Sequence, residues 1–341
     1  MKRKYIRYII LITSILILSY SSTSCSNIVS IENNNIEISE NMNGVESLNN
    51  GLENDIIIDK GNDNKLNEDD NNQLISEPKK SFKEEVDNIV TSLAGEYKNN
   101  LAVYCKNLNS NEIYELNLDN YYFAASISKV PLSMMALDEA YKGNISLEQT
   151  IRFRESDREG GTGVLYYLDS IPDITVREAV KLAIVNSDNI AHNMLIRFLG
   201  RSATDYMREI NNDYEIPYGN YTTARQVSVA LNRLYYNEEN NPYYDELIQY
   251  MKETQFHDRL DKYLPNEIVA HKIGSYSRYY HDIGIIYGKE PYILIILTKD
   301  INVAEGEYAN EDDGYLLDGG EKAIEFIANI SKEIYTKVME N

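Results

Sequence analysis

The pattern of apolar and polar positions changes character near residue 80 of this chain. Beyond that point, five apolar residues share one helical face and predict an opening helix: Phe82, Val86, Ile89, Val90 and Leu93. Two alternating segments follow, Leu101 to Asn107 and Glu112 to Leu118, and a polar turn separates them. This arrangement is typical of a β-hairpin.

The pattern from Ser126 to about Tyr250 is mostly helical. Thr175 and Glu178 have the spacing of a capping box, and Gly200 has the position of a helix terminator. Three further strands are predicted late in the chain, followed by an amphipathic closing helix: Ile268 to Ile273, Asp282 to Gly288, Tyr292 to Thr298, and a helix carrying Ile327, Ile330, Ile334 and Val338.

Strands near both chain ends with helices between them predict an α/β protein of the α+β type. We expect an antiparallel five-stranded sheet built from both chain ends and flanked by the terminal helices. The middle helices would form a separate all-helical lobe, with a cleft between lobe and sheet.

The first residues have the layout of an export signal. The segment MKRKYIR is basic, and the run from Tyr8 to Tyr20 is apolar and too short for a membrane span. Small residues then lead to Cys25, which resembles the lipidated cysteine of bacterial lipoproteins, although Ser22 replaces the usual aliphatic residue. We therefore expect residues 1–25 to be a signal with lipidation at Cys25. An uncleaved anchor and an ordinary signal cut near Ser24 are the alternatives.

Residues 26–80 are rich in Asn, Asp, Glu and Ser and follow neither the helical nor the strand period. Such a segment buries too little apolar surface to offset its ordering entropy, so a disordered tether is expected. Residues 81–341 then form one domain. The expected location is extracytoplasmic, on the outer face of the bacterial membrane.

Composition narrows the function classes. The chain has 33 Lys and Arg against 54 Asp and Glu, a net charge of −21, which argues against nucleic-acid binding. Its two cysteines, Cys25 and Cys105, cannot form a disulfide scaffold, and Cys105 fits a buried strand position. The four histidines have neither H-x-x-x-H nor H-x-H spacing, so no metal site is predicted from them.

Ser126 and Lys129 form an S-x-x-K motif at the start of an apolar helical segment. This spacing places a hydroxyl and an amine one helical turn apart. A serine needs an adjacent base to become a nucleophile, and a lysine can serve when burial keeps it neutral. Ser76 and Lys79 have the same spacing, but they begin no helix, and that match is attributed to chance.

Two further motifs follow in order. Ser187-Asp188-Asn189 matches S-D-N, in which Ser187 could relay a proton and Asn189 could bind a substrate amide, although all three residue types also cap helices. Lys272-Ile273-Gly274-Ser275 ends a predicted strand and is similar to K-T-G. Gly274 would let a substrate lie along the strand edge.

Together these motifs give residues 81–341 a resemblance to the class A β-lactamases, a family of penicillin-recognising serine hydrolases. The segments FAASISKVPL, GGTGVLYYL and VAHKIGSYSRYYHDIGIIYG resemble that family as well. The resemblance implies catalytic roles for Ser126, Lys129, Ser187 and Lys272 and substrate-binding roles for Asn189, Gly274 and Ser275. With Ser126 as the nucleophile, the backbone N–H groups of Ser126 and Ser275 would form the oxyanion hole.

The sequence departs from the family at two points. The family's E-x-x-L-N motif, whose glutamate activates the deacylating water, is absent, and Glu209 and Glu215 are poor substitutes by their positions. Ile273 replaces a hydroxyl residue, for which Ser275 could compensate. Arg278 is a candidate for binding the substrate carboxylate.

The resemblance therefore implies a serine hydrolase that β-lactams acylate and that hydrolyses the β-lactam amide, with slow deacylation. A D,D-peptidase acting on peptidoglycan stem peptides and a non-catalytic penicillin-binding sensor lipoprotein remain alternatives. A glutaminase on the same framework is disfavoured by the export signal. A monomer without metal or organic cofactor is expected, with a β-lactam or peptidoglycan peptide as substrate and the membrane as partner.

Overall fold

The computed structural model describes residues 80–301 and 318–340. The predicted signal with Cys25 and the tether up to residue 79 lie outside the described residues. Within the described ranges, no helix combines the length and apolar character needed to cross a membrane.

Five antiparallel strands form the main sheet, in the order β2-β1-β9-β8-β7. The strands are β1 (Leu101–Asn107), β2 (Ile113–Leu116), β7 (Val269–Tyr276), β8 (Tyr279–Ile286) and β9 (Tyr292–Lys299). Strand β1 from the start of the domain pairs with β9 from its end, with Leu101 opposite Thr298. The sheet is therefore built from both chain ends, and the α+β prediction is confirmed.

Each face of the sheet has its own core, because side chains alternate along a strand. In β9, Ile293 and Ile295 pack toward the helical lobe, whereas Leu294 and Ile296 pack toward the terminal helices. All four side chains are fully buried. Both faces are thus covered, which explains the continuous apolar run of this strand.

The terminal helices α1 (Phe82–Ala94) and α8 (Asp318–Glu340) cover the outer face of the sheet. Helix α1 begins at a capping box in which Ser81 and Glu84 satisfy each other's backbone N–H groups. Ile327 and Ile334 of α8 are buried in the same core, as the apolar period of the closing helix predicts.

The remaining helices pack on the inner face as a lobe: α2 (Lys129–Tyr141), α3 (Val176–Val185), α4 (Asn189–Leu199), α5 (Ala203–Asn211), α6 (Ala224–Tyr236) and α7 (Tyr244–Lys252). The predicted capping box of Thr175 and Glu178 opens α3. Gly200 ends α4 with a φ of 64°, the left-handed conformation that glycine adopts at low cost.

Two short ribbons were not predicted from the sequence. Strands β3 (Tyr122–Phe123) and β6 (Tyr221–Thr222) pair with each other, as do β4 (Thr150–Ile151) and β5 (Ile174–Thr175). Each strand has only two residues, which is too short for a periodic signal. Strand β3 directly precedes the S-x-x-K segment, so its pairing with β6 helps to position that segment.

Candidate functional site

Ser126 lies in a tight 3₁₀ turn formed by Ala125–Ser128, directly before α2. The sequence predicted that Ser126 would open the α-helix itself, and the helix instead begins at Lys129. Ala125 has a φ of 47°, which a residue with a β-carbon adopts only when the surrounding structure enforces it. The strained turn projects the Ser126 hydroxyl while Lys129 begins the helix beside it.

Lys129 is 2% exposed and its Nζ contacts four oxygen atoms. Nζ lies 3.0 Å from Oγ of Ser126, 2.7 Å from the carbonyl and 3.2 Å from Oγ of Ser187, and 2.7 Å from Oδ1 of Asn189. A neutral amine has two N–H bonds and one lone pair. The two shortest contacts suit the N–H bonds, so the lone pair can accept the hydroxyl proton of Ser126.

The environment of Lys129 favours that neutral form. Burial lowers its pKa to about 7, although the negative charges of Asp188 and Glu159 raise it in part. An amine whose pKa lies near neutrality can take up a proton and release it again at working pH. The arrangement therefore supplies a general base beside a serine hydroxyl.

The S-D-N motif lies where α3 gives way to α4: Ser187 and Asp188 connect the two helices, and Asn189 is the first residue of α4. Asp188 caps α4 through Ala191 N–H, at 2.9 Å. Ser187 has a φ of 51°, which turns its hydroxyl and its carbonyl toward Lys129. The helix cap thus fixes the segment that carries the polar groups of the site.

The second carboxylate oxygen of Asp188 accepts the backbone N–H groups of Val164 and Leu165, at 2.7 and 2.9 Å. These two hydrogen bonds join the S-D-N segment to residues 160–165. The side chain of Asn189 reinforces the joint, since its Nδ2 donates to the Gly160 carbonyl at 2.7 Å. Asn189 was predicted to bind substrate, and here its Oδ1 accepts from Lys129 while its Nδ2 holds the loop.

Lys272 approaches the same point from strand β7. Its Nζ donates to Oγ of Ser187 and to the carbonyl of Ile273, both at 3.0 Å. Burial lowers the pKa of Lys272 well below its usual value, and the positive charge of Lys129 lowers it further. The Ser187 hydroxyl therefore lies between two buried amines and can pass a proton from one neighbour to another.

Strand β7 is an edge strand of the sheet, and Gly274 of this strand lies against the turn that carries Ser126. A β-carbon at Gly274 would lie 2.8 Å from the Ala124 carbonyl and 3.2 Å from the backbone nitrogen of Ile127. We expected glycine here to make room for a substrate. The structure gives a further reason, because only glycine lets the strand approach the turn so closely.

Arg259 is a charged residue of the site that the sequence analysis missed. It is 2% exposed, and its guanidinium donates to Oγ of Ser275 at 2.6 Å and to the carbonyls of Gly274 and His281 at 3.1 and 2.7 Å. No motif surrounds it, so the sequence carried no signal. Arg278, the residue proposed from sequence, instead pairs with Asp300 at 3.1 Å.

His281 connects the sheet to the segment before Ser126. Its Nε2–H donates to the Phe123 carbonyl at 2.9 Å, and its Nδ1 accepts the Thr298 N–H at 3.1 Å. Burial lowers the pKa of His281 to about 4, so the ring is neutral and keeps one donor and one acceptor. His281 is thus a positioning residue for the turn.

Neither candidate glutamate reaches Ser126. Glu209 accepts from Arg201 at 2.5 Å on the surface of α5, and Glu215 is exposed in the loop that follows. The loop residue that does approach the site is Asn220, whose Nδ2 donates to the Ala125 carbonyl at 3.2 Å. An amide cannot act as a general base.

Comparisons with known proteins agree with this architecture. The profile of the β-lactamase enzyme family matches residues 81–338. The β-lactamase VEB-1 of Pseudomonas aeruginosa is 25% identical over 266 residues, which cover 69% of this chain and 85% of that protein.

Among solved structures, that of PBP-A superposes with a TM-score of 0.64 at 21% identity, over 77% of this chain and 99% of that one. A mutant of PBP-A, solved as an acyl-enzyme complex with penicillin G, gives a TM-score of 0.62 at 21% identity, over 76% and 97% of the two chains. At these identities the structural likeness shows the fold.

Proposed function

Because the chain belongs to the β-lactamase enzyme family, as its motifs predicted, we propose that it is a serine hydrolase acylated at Ser126 by β-lactams. One observation carries the proposal: the buried Nζ of Lys129 lies 3.0 Å from Oγ of Ser126, with two carbonyl oxygens placed to receive its N–H bonds. This contact supplies the base that an unactivated serine lacks.

The acylation step follows from these contacts. Lys129 accepts the hydroxyl proton as Ser126 Oγ attacks the β-lactam carbonyl carbon. The ring C–N bond then breaks, and the proton passes from Lys129 through the Ser187 hydroxyl to the leaving nitrogen. The backbone N–H groups of Ser126 and Ser275 are proposed to stabilise the oxyanion. The product is an ester between Ser126 and the opened ring.

The positive charge of Arg259 supports recognition of an anionic substrate. Its buried guanidinium donates to the Ser275 hydroxyl at 2.6 Å. A carboxylate hydrogen-bonded to Ser275 would therefore lie in a strongly favourable field. Ser275 in this way substitutes for the hydroxyl that Ile273 lacks.

Hydrolysis of the acyl-enzyme is proposed to be slow. The general base for deacylation must lie within hydrogen-bonding reach of the attacking water. Among the described residues, the two glutamates that the sequence offered lie in other contacts or on the surface. The ester is then expected to persist, unlike that of an efficient β-lactamase.

Slow deacylation favours a second candidate, a D,D-peptidase acting on peptidoglycan stem peptides. Such an enzyme uses the same acylation residues on a peptide that ends in a carboxylate. The acyl-enzyme complex of the PBP-A mutant with penicillin G supports a shared ability of this fold to hold a penicilloyl group. Release of the terminal amino acid from a stem-peptide analogue would distinguish this activity.

Export is proposed from the sequence alone. The basic MKRKYIR segment, the apolar run to Tyr20 and the small residues before Cys25 support a lipoprotein signal. The proposed arrangement is a lipid on Cys25, a tether over residues 26–80 and the hydrolase domain over 81–341, outside the cytoplasmic membrane. Both candidate substrates occur there.

The test is intact-mass spectrometry of the purified full chain mixed with benzylpenicillin and followed over hours. We expect an adduct of one penicilloyl group that persists in the wild type and is absent in Ser126→Ala. Ser128→Ala is the matched control, because Ser128 lies in the same turn and its hydroxyl only donates to the Ala125 carbonyl.

The outcomes separate the candidates. A persistent adduct that requires Ser126 supports acylation with slow deacylation. An adduct that disappears while penicilloate accumulates indicates an efficient β-lactamase and overturns the slow step. An unchanged mass together with no turnover excludes a covalent reaction with penicillin. This outcome is the one expected of a non-catalytic binding protein.

A further inference from the structure

A second cluster of chemically reactive side chains lies behind strand β7. Among the described residues, His257, Asp261 and His271 form a group whose potential metal-ligating atoms lie within 4.8 Å of one another. His257 and Asp261 belong to the loop between α7 and β7, and His271 is the third residue of β7. The cluster is therefore built by two segments that only the fold brings together.

Two atoms of the cluster are buried without a hydrogen-bond partner. Nε2 of His271 and Oδ1 of Asp261 make no hydrogen bond, although both residues are only 1% exposed. A buried polar atom without a partner destabilises the folded protein, so such atoms need an explanation. Both atoms belong to residues of the same cluster.

The spacing of the atoms suits a metal ion. Nε2 of His271 lies at an ion-pair distance of 3.3 Å from Oδ2 of Asp261, without hydrogen-bond geometry. Two ligands at ~2.0–2.1 Å from a tetrahedral Zn²⁺ ion lie about 3.3 Å apart. Nδ1 of His257 contacts the same carboxylate oxygen from the solvent side, so an ion that used all three groups would have to replace this hydrogen bond.

The position of His271 is fixed by a second carboxylate. Its Nδ1–H donates to Asp282, at 3.0 and 2.9 Å to the two oxygens, and Asp282 also accepts the Leu260 N–H at 3.0 Å. A carboxylate on the far nitrogen of a ligating histidine orients the ring and increases its basicity. This contact directs Nε2 of His271 toward Asp261.

From these contacts we propose that His257, Asp261 and His271 bind one divalent transition-metal ion of the Zn²⁺ class. Two imidazoles and one carboxylate are ligands that Zn²⁺ accepts, with a fourth position left to water. His257 has a side chain 41% exposed, so the ion can enter from solvent. A proton competes for Nε2 of His271, and the ion must displace it.

The site has a clear structural consequence. Arg259 lies between His257 and Asp261, and Lys272 follows His271 directly. A bound ion would join the α7–β7 loop to strand β7. It would thereby fix the segment that holds Arg259 against Ser275. The sequence did not predict this site, because its four histidines have neither H-x-x-x-H nor H-x-H spacing.

The test measures binding of Zn²⁺ alone to the chelator-treated full chain, by equilibrium dialysis with metal analysis. Co²⁺ then replaces Zn²⁺, and its visible absorption reports tetrahedral coordination by nitrogen and oxygen. The deciding variant is His257→Ala, because this ligand is exposed and its loss leaves the core unchanged. Glu267→Gln is the matched control, an exposed carboxylate in the same connection outside the cluster.

We expect the wild type and Glu267→Gln to bind one ion more than His257→Ala, or to bind it at least about tenfold more tightly. Saturating Zn²⁺ should raise the melting temperature of the first two proteins and not of the third. Equal binding by wild type and His257→Ala, or no binding by either, would overturn the proposal. The measurement requires no catalytic activity, so its failure is distinct from failure of the proposed hydrolase.

Discussion

Nζ of Lys129 lies 3.0 Å from Oγ of Ser126, and the same amine is held by Ser187 and Asn189 on its other side. The S-x-x-K pair is therefore completed by the S-D-N segment rather than standing alone. Each member has its position fixed before a substrate arrives, which is how an active site limits the reorganisation required during reaction.

The rate of acylation should rise with pH through about 7, because burial lowers the pKa of Lys129 to about 7 and only the neutral amine accepts the Ser126 proton. Below the pKa the rate should fall about tenfold for each pH unit. The measurement is the second-order rate constant for labelling by a fluorescent penicillin across the pH range.

Lys129→Arg should slow that labelling by about a hundredfold or more at every pH, since a guanidinium stays protonated. Lys142→Arg is the control, an exposed lysine at the end of the same helix whose partner is Glu139. A pH profile that stays flat from acid to neutral in the wild type would contradict the assignment of Lys129 as base.

Gly163→Ala should destabilise the protein and slow acylation together. Gly163 has a φ of 114°, and a β-carbon there would lie 2.2 Å from Oδ2 of Asp188, the atom that accepts the Val164 and Leu165 N–H groups. The added atom must displace the S-D-N segment. Chemical denaturation and the labelling rate measure the two effects.

Gly143→Ala separates the cost of backbone strain at a positive φ from the cost of a steric clash with Asp188. Gly143 also has a positive φ, of 76°, but a β-carbon there would meet no atom within 4 Å. We expect a loss of about 1 kcal/mol for Gly143→Ala without change in labelling rate, and at least about 2 kcal/mol more for Gly163→Ala. Equal losses would show that the contact with Asp188 is unimportant.

Much of the fold could be predicted because its elements are long and periodic. Strand β1 has the predicted bounds Leu101–Asn107, and strand β9 extends one residue beyond its prediction. Strands β7 and β8 are displaced toward their shared turn, to Tyr276 and Tyr279. The sequence pattern does not locate the turn between these two strands, because the tyrosines on both sides of it are as favourable within a strand as at its end.

Only those residues of the candidate site that belong to a sequence motif could be predicted. Nζ of Lys129 contacts the hydroxyl groups of both Ser126 and Ser187, and Nζ of Lys272 contacts that of Ser187. Arg259 could not be found in this way, because a lone arginine in a loop has no periodic or motif signal. Its role depends on burial beside Ser275, which is a property of the fold.

Glu209→Gln and Glu215→Gln should leave the lifetime of the penicilloyl adduct unchanged within about twofold. Glu209 is occupied by Arg201, and Glu215 is exposed, so neither can activate a water beside Ser126. The lifetime is measured by intact mass after removal of free penicillin. A markedly longer lifetime in either variant would identify that glutamate as the deacylation base.

Arg259→Lys should weaken the reaction with penicillin selectively for the free carboxylate. The planar guanidinium donates to Ser275, Gly274 and His281 at once, and an ammonium group cannot reproduce that set. We expect the labelling rate for the acid to fall about tenfold and the rate for its methyl ester to change far less. The acid-to-ester ratio is insensitive to any loss of folded protein, because both rates are proportional to the concentration of folded protein.

Arg278→Ala is the control for this prediction. Its acid-to-ester ratio should match that of the wild type, since the Arg278 guanidinium pairs with Asp300. A ratio that falls in Arg278→Ala but not in Arg259→Lys would assign carboxylate recognition to Arg278 instead.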